Sequence, residues 1–498
     1  MASWAAGVSA PPTVIVTYIA SAVGLIAGSI ALHRRDISAG ADLARRAREL
    51  RGPGWAARRL LARMMAERSS GCRRKSILLG QSELTGRLAR LPLSTEQGRH
   101  LLVTGSTGSG KTWSLRRIVT EAVADGFSVV VIDAKGGYDF VNDARDAALT
   151  HGRRFILWSF KGPSTYNAYG TGSASEIAAR LLFDEITEPY YLRIFQRHLQ
   201  QVVAAVQSAG LTPSLRFVAR YSQKQYWSDL MDRLSGEALH RFAAYLDSLT
   251  PRVVQDLTGS ISRLATLDES DMGRWLAPER GERAFDLGEA MDRGDVVLFQ
   301  LNADRQPEPT RMFGAALIQD LVSIAGARQT GDHRPVLIVI DEFPAIAAPL
   351  AVNLLERGRS ANYSVALGVQ DVAGIEQGEN TGLTERIVGN LTALLVHRQV
   401  VPSSRELIAT IVGTVGTWAR TRQVRAGLGT TGLGSLTRER EFALHPDELS
   451  SLRPGEAYLI LPGTRRPYDR VRVFLSEPRR LCSSRRDIFG KRGGRRAH

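Results

Sequence analysis

Short apolar runs alternate with amphipathic stretches along most of this chain of 498 residues. Residues 100–104 form one such run and predict a buried strand. Residues 113–124 follow with Trp113, Leu115, Ile118, Val119 and Val123 as the apolar positions of a helix. Residues 127–133 (β-branched and ending in Asp133), 154–159, 296–299, 336–340 and 363–369 are further strand candidates. Continuous apolar runs separated by helical segments are what a parallel sheet covered on both faces requires. Between about 175 and 290 the pattern changes. Leu181, Leu182, Ile194, Leu199, Val202, Val203 and Val206 recur at three and four residues, and strand-like runs are few. The reading is an α/β core at 76–174 and 291–476, with an all-helical domain inserted at 175–290. Residues 415–475 are rich in strand and loop signals.

The N-terminus carries a different pattern. Residues 13–32 are uncharged and mostly apolar, and a 20-residue helix spans about 30 Å, the thickness of a bilayer core. Gly24 and Gly28, at four-residue spacing, suit close helix contact. A signal peptide would place positive charge before the run, and residues 1–12 have none. The competing reading is a buried core helix. Arg34, Arg35, Arg45, Arg46, Arg48 and Arg51 follow the run, so the positive-inside rule leaves residues 1–12 outside and the body cytoplasmic, in a single-pass protein of the cell (inner/plasma) membrane.

Charge sharpens this picture. The net charge is +15, but residues 33–75 hold 13 basic and 4 acidic residues and 477–498 hold 8 and 2. The flanks therefore account for all of it, and the body between them is neutral. The first flank reads as a basic connector that adheres to anionic membrane lipid, the second as a disordered polyanion-seeking tail. A neutral body does not by itself announce nucleic acid. Cys72 and Cys482 make neither a disulfide framework nor a metal-spaced pair, and the nine histidines show no ligand spacing.

The chemistry is concentrated in Gly105-Ser106-Thr107-Gly108-Ser109-Gly110-Lys111-Thr112, which fits the phosphate-binding loop G-x-x-x-x-G-K-[ST] between a strand and a helix. Its glycines let backbone amides curl around phosphates. Lys111 suits the β- and γ-phosphates of ATP, and Thr112 a Mg²⁺ ion. The run at 336–340 ends in Asp341 and Glu342. The first suits the Mg²⁺ shell, and the second a general base acting on water. Gln370 ends the run at 363–369 and could sense the γ-phosphate. Arg357 and Arg359 lie between these runs. Either could be a guanidinium finger or a surface arginine.

These stretches, with residues 130–136, 358–360 and the tract from Leu407 to Glu456, resemble type IV secretion coupling proteins, the TraD/TraG-like ATPases of conjugation related to FtsK/HerA translocases. The resemblance implies a RecA-like P-loop NTPase core, a helical domain, a membrane anchor and a homo-hexamer. It implies ATP-driven, sequence-independent translocation of DNA, single-stranded and with its relaxase or relaxosome, toward the type IV secretion channel. It matches Lys111, Thr112, Asp341, Glu342 and Gln370 to the site of one subunit. It prefers Arg359 over Arg357 as the finger from the next. Two departures stand out: one apolar span where the family often has two, and Asp133-Ala134-Lys135-Gly136-Gly137 without the family's proline and acid. A double-stranded DNA pump of FtsK/HerA type and a nucleotide-switched membrane docking platform are the alternatives.

Overall fold

The strand-like runs assemble into one sheet of eleven strands. They are β1 (Ile77–Ser82), β2 (Leu88–Leu91), β3 (Leu101–Thr104), β4 (Ser128–Asp133), β5 (Phe155–Ser159), β6 (Val296–Gln300), β7 (Val336–Asp341), β8 (Tyr363–Val369), β9 (Ala393–Val396), β12 (Glu456–Ile460) and β13 (Tyr468–Val473). Among the described residues, two more, β10 (Thr414–Arg425) and β11 (Gly429–Phe442), pair only with each other. The structure is a computed structural model that describes residues 76–93, 98–182, 188–277, 284–329, 333–346, 348–375, 382–425, 429–464 and 467–474. The expected membrane helix at 13–32, the basic connector at 33–75 and the tail at 477–498 lie outside the described residues. Among the described residues, no helix is long and apolar enough to cross a membrane.

The strand order is β2-β1-β13-β12-β9-β3-β8-β7-β4-β6-β5. The seven strands from β9 to β5 are parallel, and the four from β12 to β2 extend the sheet antiparallel. Side chains alternate between two apolar layers. Val130, Ile132, Ile338 and Ile340 enter one layer, and Val129, Val131, Leu337 and Val339 the other. Burial on both faces is why the central strands are apolar throughout.

The second layer is covered by α1 (Lys111–Ala124) and α2 (Tyr138–Thr150), through Leu115, Ile118, Phe140 and Val141. Between β5 and β6 the described elements are helical: α3 (Ala174–Leu181), α4 (Pro189–Ser208), α5 (Leu215–Ser222), α6 (Gly236–Asp247), α7 (Pro251–Asp268) and α8 (Leu287–Arg293), with short helical turns among them. Leu199, Val202, Leu257 and Leu264 of this region join Trp158, Val297 and Phe313 in one continuous apolar cluster. Two further helices, α9 (Pro307–Ala327) and α10 (Ala348–Gly358), cover the first layer too. Asp320 of α9 pairs with Arg180 of α3 at 3.0 Å and accepts from the Tyr166 hydroxyl, which ties the helical stretch to the sheet. Further helices are α11 (Leu383–Asn390), α12 (Pro402–Val412) and a short one at Pro446–Ser450.

One sequence reading is corrected here. The helix after the glycine loop starts at Lys111 rather than residue 113, and Trp113 is not on its apolar face. It is 45% exposed, because the buried stripe runs through Ser114, Leu115, Ile118, Val119, Ala122 and Val123 instead.

Candidate nucleotide site

A turn of backbone follows β3 and delivers α1. Gly108 and Gly110 have φ of 74° and 108°, the left-handed region that glycine tolerates without a Cβ penalty. Gly105 is needed for space: a Cβ there would lie 2.4 Å from Ser109 Oγ and 2.6 Å from His397 Cβ. Gly110 caps α1 without any side-chain bond, so the first amides of the helix keep their partial positive charge for a ligand. The loop is fastened at both ends. The Ser106 N–H donates to the Arg398 carbonyl at 3.0 Å, and the Gly455 N–H to the Ser109 carbonyl at 3.0 Å.

Facing the loop are the C-terminal ends of β7 and β4. The Lys111 ammonium pairs with Asp341 at 2.7 Å and with Glu342 at 3.0 Å. Thr112 Oγ1 donates to Asp341 at 3.4 Å. Asp341 closes β7, whereas Glu342 leaves the strand with φ 58°, a left-handed conformation outside the ladder. Non-glycine residues in that region are uncommon and mark built sites. Gly368 of β8 makes room for Asp341: a Cβ there would sit 2.7 Å from Asp341 Oδ1.

Lys135 also pairs with Glu342, at 2.8 Å. Burial pushes the Glu342 carboxyl up, but Lys111 and Lys135 outweigh burial and hold it below the usual carboxylate range. Burial favours neutral Lys135, yet its bond to Glu342 keeps it above the ordinary lysine value. Asp133, paired in register with Asp341, is pushed up to about 6 by burial and by that neighbouring carboxylate. It accepts the Lys135 and Gly137 N–H groups at 3.0 and 2.8 Å, and so shapes the loop that presents Lys135.

The open space before these groups is a cavity of about 840 Å³. Residues of the glycine loop, Lys111, Thr112, Asp341 and Gln370 line it; the exposed aromatic rings of Trp113 and Tyr138, the turn Pro454-Gly455 and Val473-Phe474 border it as well. The donor set fits phosphates and a hard divalent cation. Thr112 and Asp341 offer oxygen ligands, Lys111 offers charge, and the buried Ser109 hydroxyl has no partner among the described residues. No group of acids, histidines and cysteines among the described residues forms a metal cluster by itself, as expected where phosphates supply part of the shell.

The structure thus brings together Lys111, Thr112, Asp341 and Glu342, with Ser106, Thr107, Gly108, Ser109 and Gly110 in the loop and Gln370 on the cavity wall. Arg359 is not among them. It is exposed beyond α10 and donates to the Asn390 carbonyl at 3.1 Å. That places it at the N-terminal ends of β3, β8 and β9, the opposite edge of the sheet from Lys111. Arg357 is exposed at the end of α10.

Sequence reasoning missed His397. It follows β9, is fully buried and bonds Ser114 Oγ at 2.8 Å and the Glu456 carbonyl at 3.0 Å. Burial, helped by Lys111 and opposed by the bond to Glu456, lowers it to about 4. The neutral ring clamps α1 against the antiparallel half of the sheet. Nothing in the spacing of the histidines signals it.

A mostly parallel α/β sheet with a glycine loop, lysine and strand-end acids at its C-terminal edge defines a phosphate-loop nucleotide-binding fold. The model of the type IV secretion-system coupling protein DNA-binding domain matches residues 86–474, and the chain belongs to that family. Its fold is similar to that of the bacterial conjugative coupling protein TrwB lacking its N-terminal 70 residues, with 17% identity, TM-score 0.61, and 82% of this chain and 91% of that one covered. A structure of TrwB with ADP and Mg²⁺ gives 17% identity and TM-score 0.59, covering 82% and 92%. VirB4 of Thermoanaerobacter pseudethanolicus gives 14% and 0.54, covering 80% and 96%. None of the curated proteins matches the chain in sequence.

Proposed function

We propose that this chain is a membrane-anchored P-loop ATPase that drives conjugative DNA, single-stranded and carrying its relaxase, into a type IV secretion channel. The observation that carries the reading is the meeting of Lys111 and Thr112 with Asp341 and Glu342 at the C-terminal edge of the parallel strands, within a chain of the coupling-protein family. TrwB bound to ADP and Mg²⁺ supports nucleotide and magnesium as the ligands.

A Mg²⁺ ion held by Thr112 and Asp341 would neutralise charge on the terminal phosphates. Lys111 now shares its charge between two carboxylates, and phosphates compete with them for it. As Lys111 turns to phosphate, Glu342 loses a cationic neighbour and becomes more basic, which readies it to take a proton from water. Lys135 stays on Glu342 and fixes where that carboxylate points. Gln370, on the tip of the neighbouring strand and lining the cavity, would orient the water. The distance of Arg359 from Lys111 in one subunit fits a finger supplied to the neighbouring subunit of a ring, the hexamer of our reading. The apolar span at 13–32 would anchor the ring in the cell membrane.

The test uses the full chain. Steady-state ATP hydrolysis should rise when single-stranded DNA is added. Hydrolysis indifferent to DNA, with no DNA bound at low salt, sinks the translocase reading. Lys111→Ala and Arg359→Ala chains should each be inactive yet regain activity on mixing. Mixtures that stay inactive while still forming rings remove the shared site.

A further inference from the structure

A second cavity, of about 500 Å³, opens on the same edge of the sheet as the nucleotide site, beyond β4 at the exits of β5 and β6. Ligands of open α/β sheets enter at the carboxyl ends of the strands, and built ligand sites enclose roughly 300–1,000 Å³. Three segments line this one: Phe160 and Lys161 after β5, Asp271, Arg274 and Trp275 after α7, and Arg305 and Gln306 ahead of α9. Its frame is fixed. Trp275 Nε1 donates to the Phe160 carbonyl at 2.9 Å, and the Trp275 carbonyl accepts from Trp158 Nε1 at 3.0 Å and from the Tyr166 N–H at 2.9 Å. Gly162 leaves the indole its place, since a Cβ there would lie 2.5 Å from Trp275 Cη2. Gln306 Nε2 donates to Asp271 at 3.1 Å and closes the wall between the helical stretch and the loop before α9.

Inside that frame the charge is one-sided. Lys161, Arg274 and Arg305 are exposed, and among the described residues no ion pair holds any of them. Asp271 is the acid of the described lining, and it is already bonded to Gln306. Asp304 and Glu308 flank Arg305 in sequence without lining the cavity. The Arg274 guanidinium lies over the Trp275 ring, 5.1 Å from its centroid. A body that is neutral as a whole thus gathers three cations and two aromatic rings around one hollow.

The hollow is also joined to the nucleotide site. Gln300 Nε2 donates to the Gly136 carbonyl, and the Leu301 and Ala303 N–H groups to the Asp133 and Ala134 carbonyls, each at 2.9 Å. Those acceptors belong to the turn that presents Lys135 to Glu342. The Arg305 and Gln306 N–H groups bond the Asn302 carbonyl at 3.2 and 3.0 Å, so the loop stays braced as far as the cavity.

We propose that this cavity holds single-stranded DNA through its phosphates and a stacked base, and that residues 300–306 carry its occupancy to Lys135 at the nucleotide site. The inference rests on the translocase reading and deepens it, by supplying the contact through which DNA sets the rate of hydrolysis. Phosphates match the three cations, and base faces match ring and guanidinium planes. An unpaired strand offers both, whereas a duplex stacks its bases on one another and hides those faces.

The experiment measures the anisotropy of a labelled oligothymidylate with the full chain across a salt series, beside ATP hydrolysis with and without that DNA. The Lys161→Gln/Arg305→Gln chain should lose about 1.4 from the slope of log K against log salt, since each phosphate contact on a single strand contributes about 0.7. With the two lines meeting near 1 M, it should bind about 25-fold more weakly at 0.1 M salt. Its hydrolysis without DNA should equal the parent's. The charge-keeping Lys161→Arg/Arg305→Lys chain should hold the parent slope, and so should Arg233→Gln/Arg241→Gln, which removes equal charge from exposed positions of the helical stretch. Gln300→Met removes the bond to Gly136; it should bind DNA as the parent does and be stimulated less by it. A parent chain that binds no DNA at low salt overturns the translocase reading and this inference together. A parent that binds, beside a Lys161→Gln/Arg305→Gln chain of equal slope, overturns the cavity alone, and so does an equal slope loss in Arg233→Gln/Arg241→Gln. Loss of thymidine monophosphate binding with oligothymidylate binding intact makes it a free-nucleotide subsite and overturns the inference. Loss of DNA binding together with assembly, read by mass photometry, makes it an interface between copies and overturns it too. Stimulation of Gln300→Met equal to the parent's overturns the relay.

Discussion

Gly368→Ala tests the metal-side geometry without replacing any residue of the proposed chemistry. The new Cβ would lie 2.7 Å from Asp341 Oδ1, 3.2 Å from Asp341 Cα and 3.0 Å from Leu115 Cδ1. Leu115 can turn aside, but a backbone Cα in the middle of the sheet cannot. Ordinary contact starts near 3.4 Å, so the Asp341 carboxylate must retreat by roughly 0.7 Å. That carboxylate holds Lys111 at 2.7 Å and Thr112 at 3.4 Å, and it carries both along. Misplacement by 1 Å costs about a hundredfold in rate, which puts this change near thirtyfold. Crowding should also cost about 1–3 kcal/mol of stability. Single-turnover ATP hydrolysis over a magnesium titration is the assay, with a thermal melt to verify folding. The rate should fall and the magnesium midpoint should rise. Gly326→Ala is the control, since its Cβ meets nothing within 4 Å and replacing glycine in a helix should add roughly 0.5–1 kcal/mol. An unchanged rate and midpoint in the folded Gly368→Ala chain would refute the claim that Asp341 sets the metal position.

Lys135→Met removes one of the two cations that depress Glu342. The Glu342 pKa then rises, so the acid limb of the hydrolysis profile moves to higher pH; a limb that stays in place contradicts Glu342 as base. His397→Gln should flatten the pH dependence of stability. The folded ring titrates at about 4 against an ordinary 6.5, so between these values the unfolded chain binds a proton that the folded chain does not. Stability from this group is complete above pH 6.5 and is lost as pH falls toward 4, by roughly 3 kcal/mol in all. Urea unfolding at several pH values reads the difference between parent and variant.

Much of the architecture was legible because the parallel strands are buried on both sides. Residues 336–340 and 363–369 can be read as strands from composition alone, and the glycine loop carries its own signature. What failed was finer. Trp113 has a helical period but lies on the side of α1 that borders the cavity, and a list of apolar positions cannot tell a core face from a ligand face. Lys135 enters through its ion pair with Glu342, and His397 through the pairing of β9 with β12, which are contacts between distant parts of the chain.

The pairing of β1 with β13 has a consequence for the two charged extensions. Gly80 faces Val473 in an antiparallel pair, so the backbone enters the sheet near Ile77 and leaves it after Val473 at the same end. Val473 and Phe474 border the nucleotide cavity. The ends of the sheet that lead toward residues 33–75 and toward residues 477–498 thus lie side by side, the second of them at the rim of that cavity. If those segments hold the membrane and cargo of the proposed function, a pull on either would be delivered within one strand pair of the cavity, without a relay through the helical stretch.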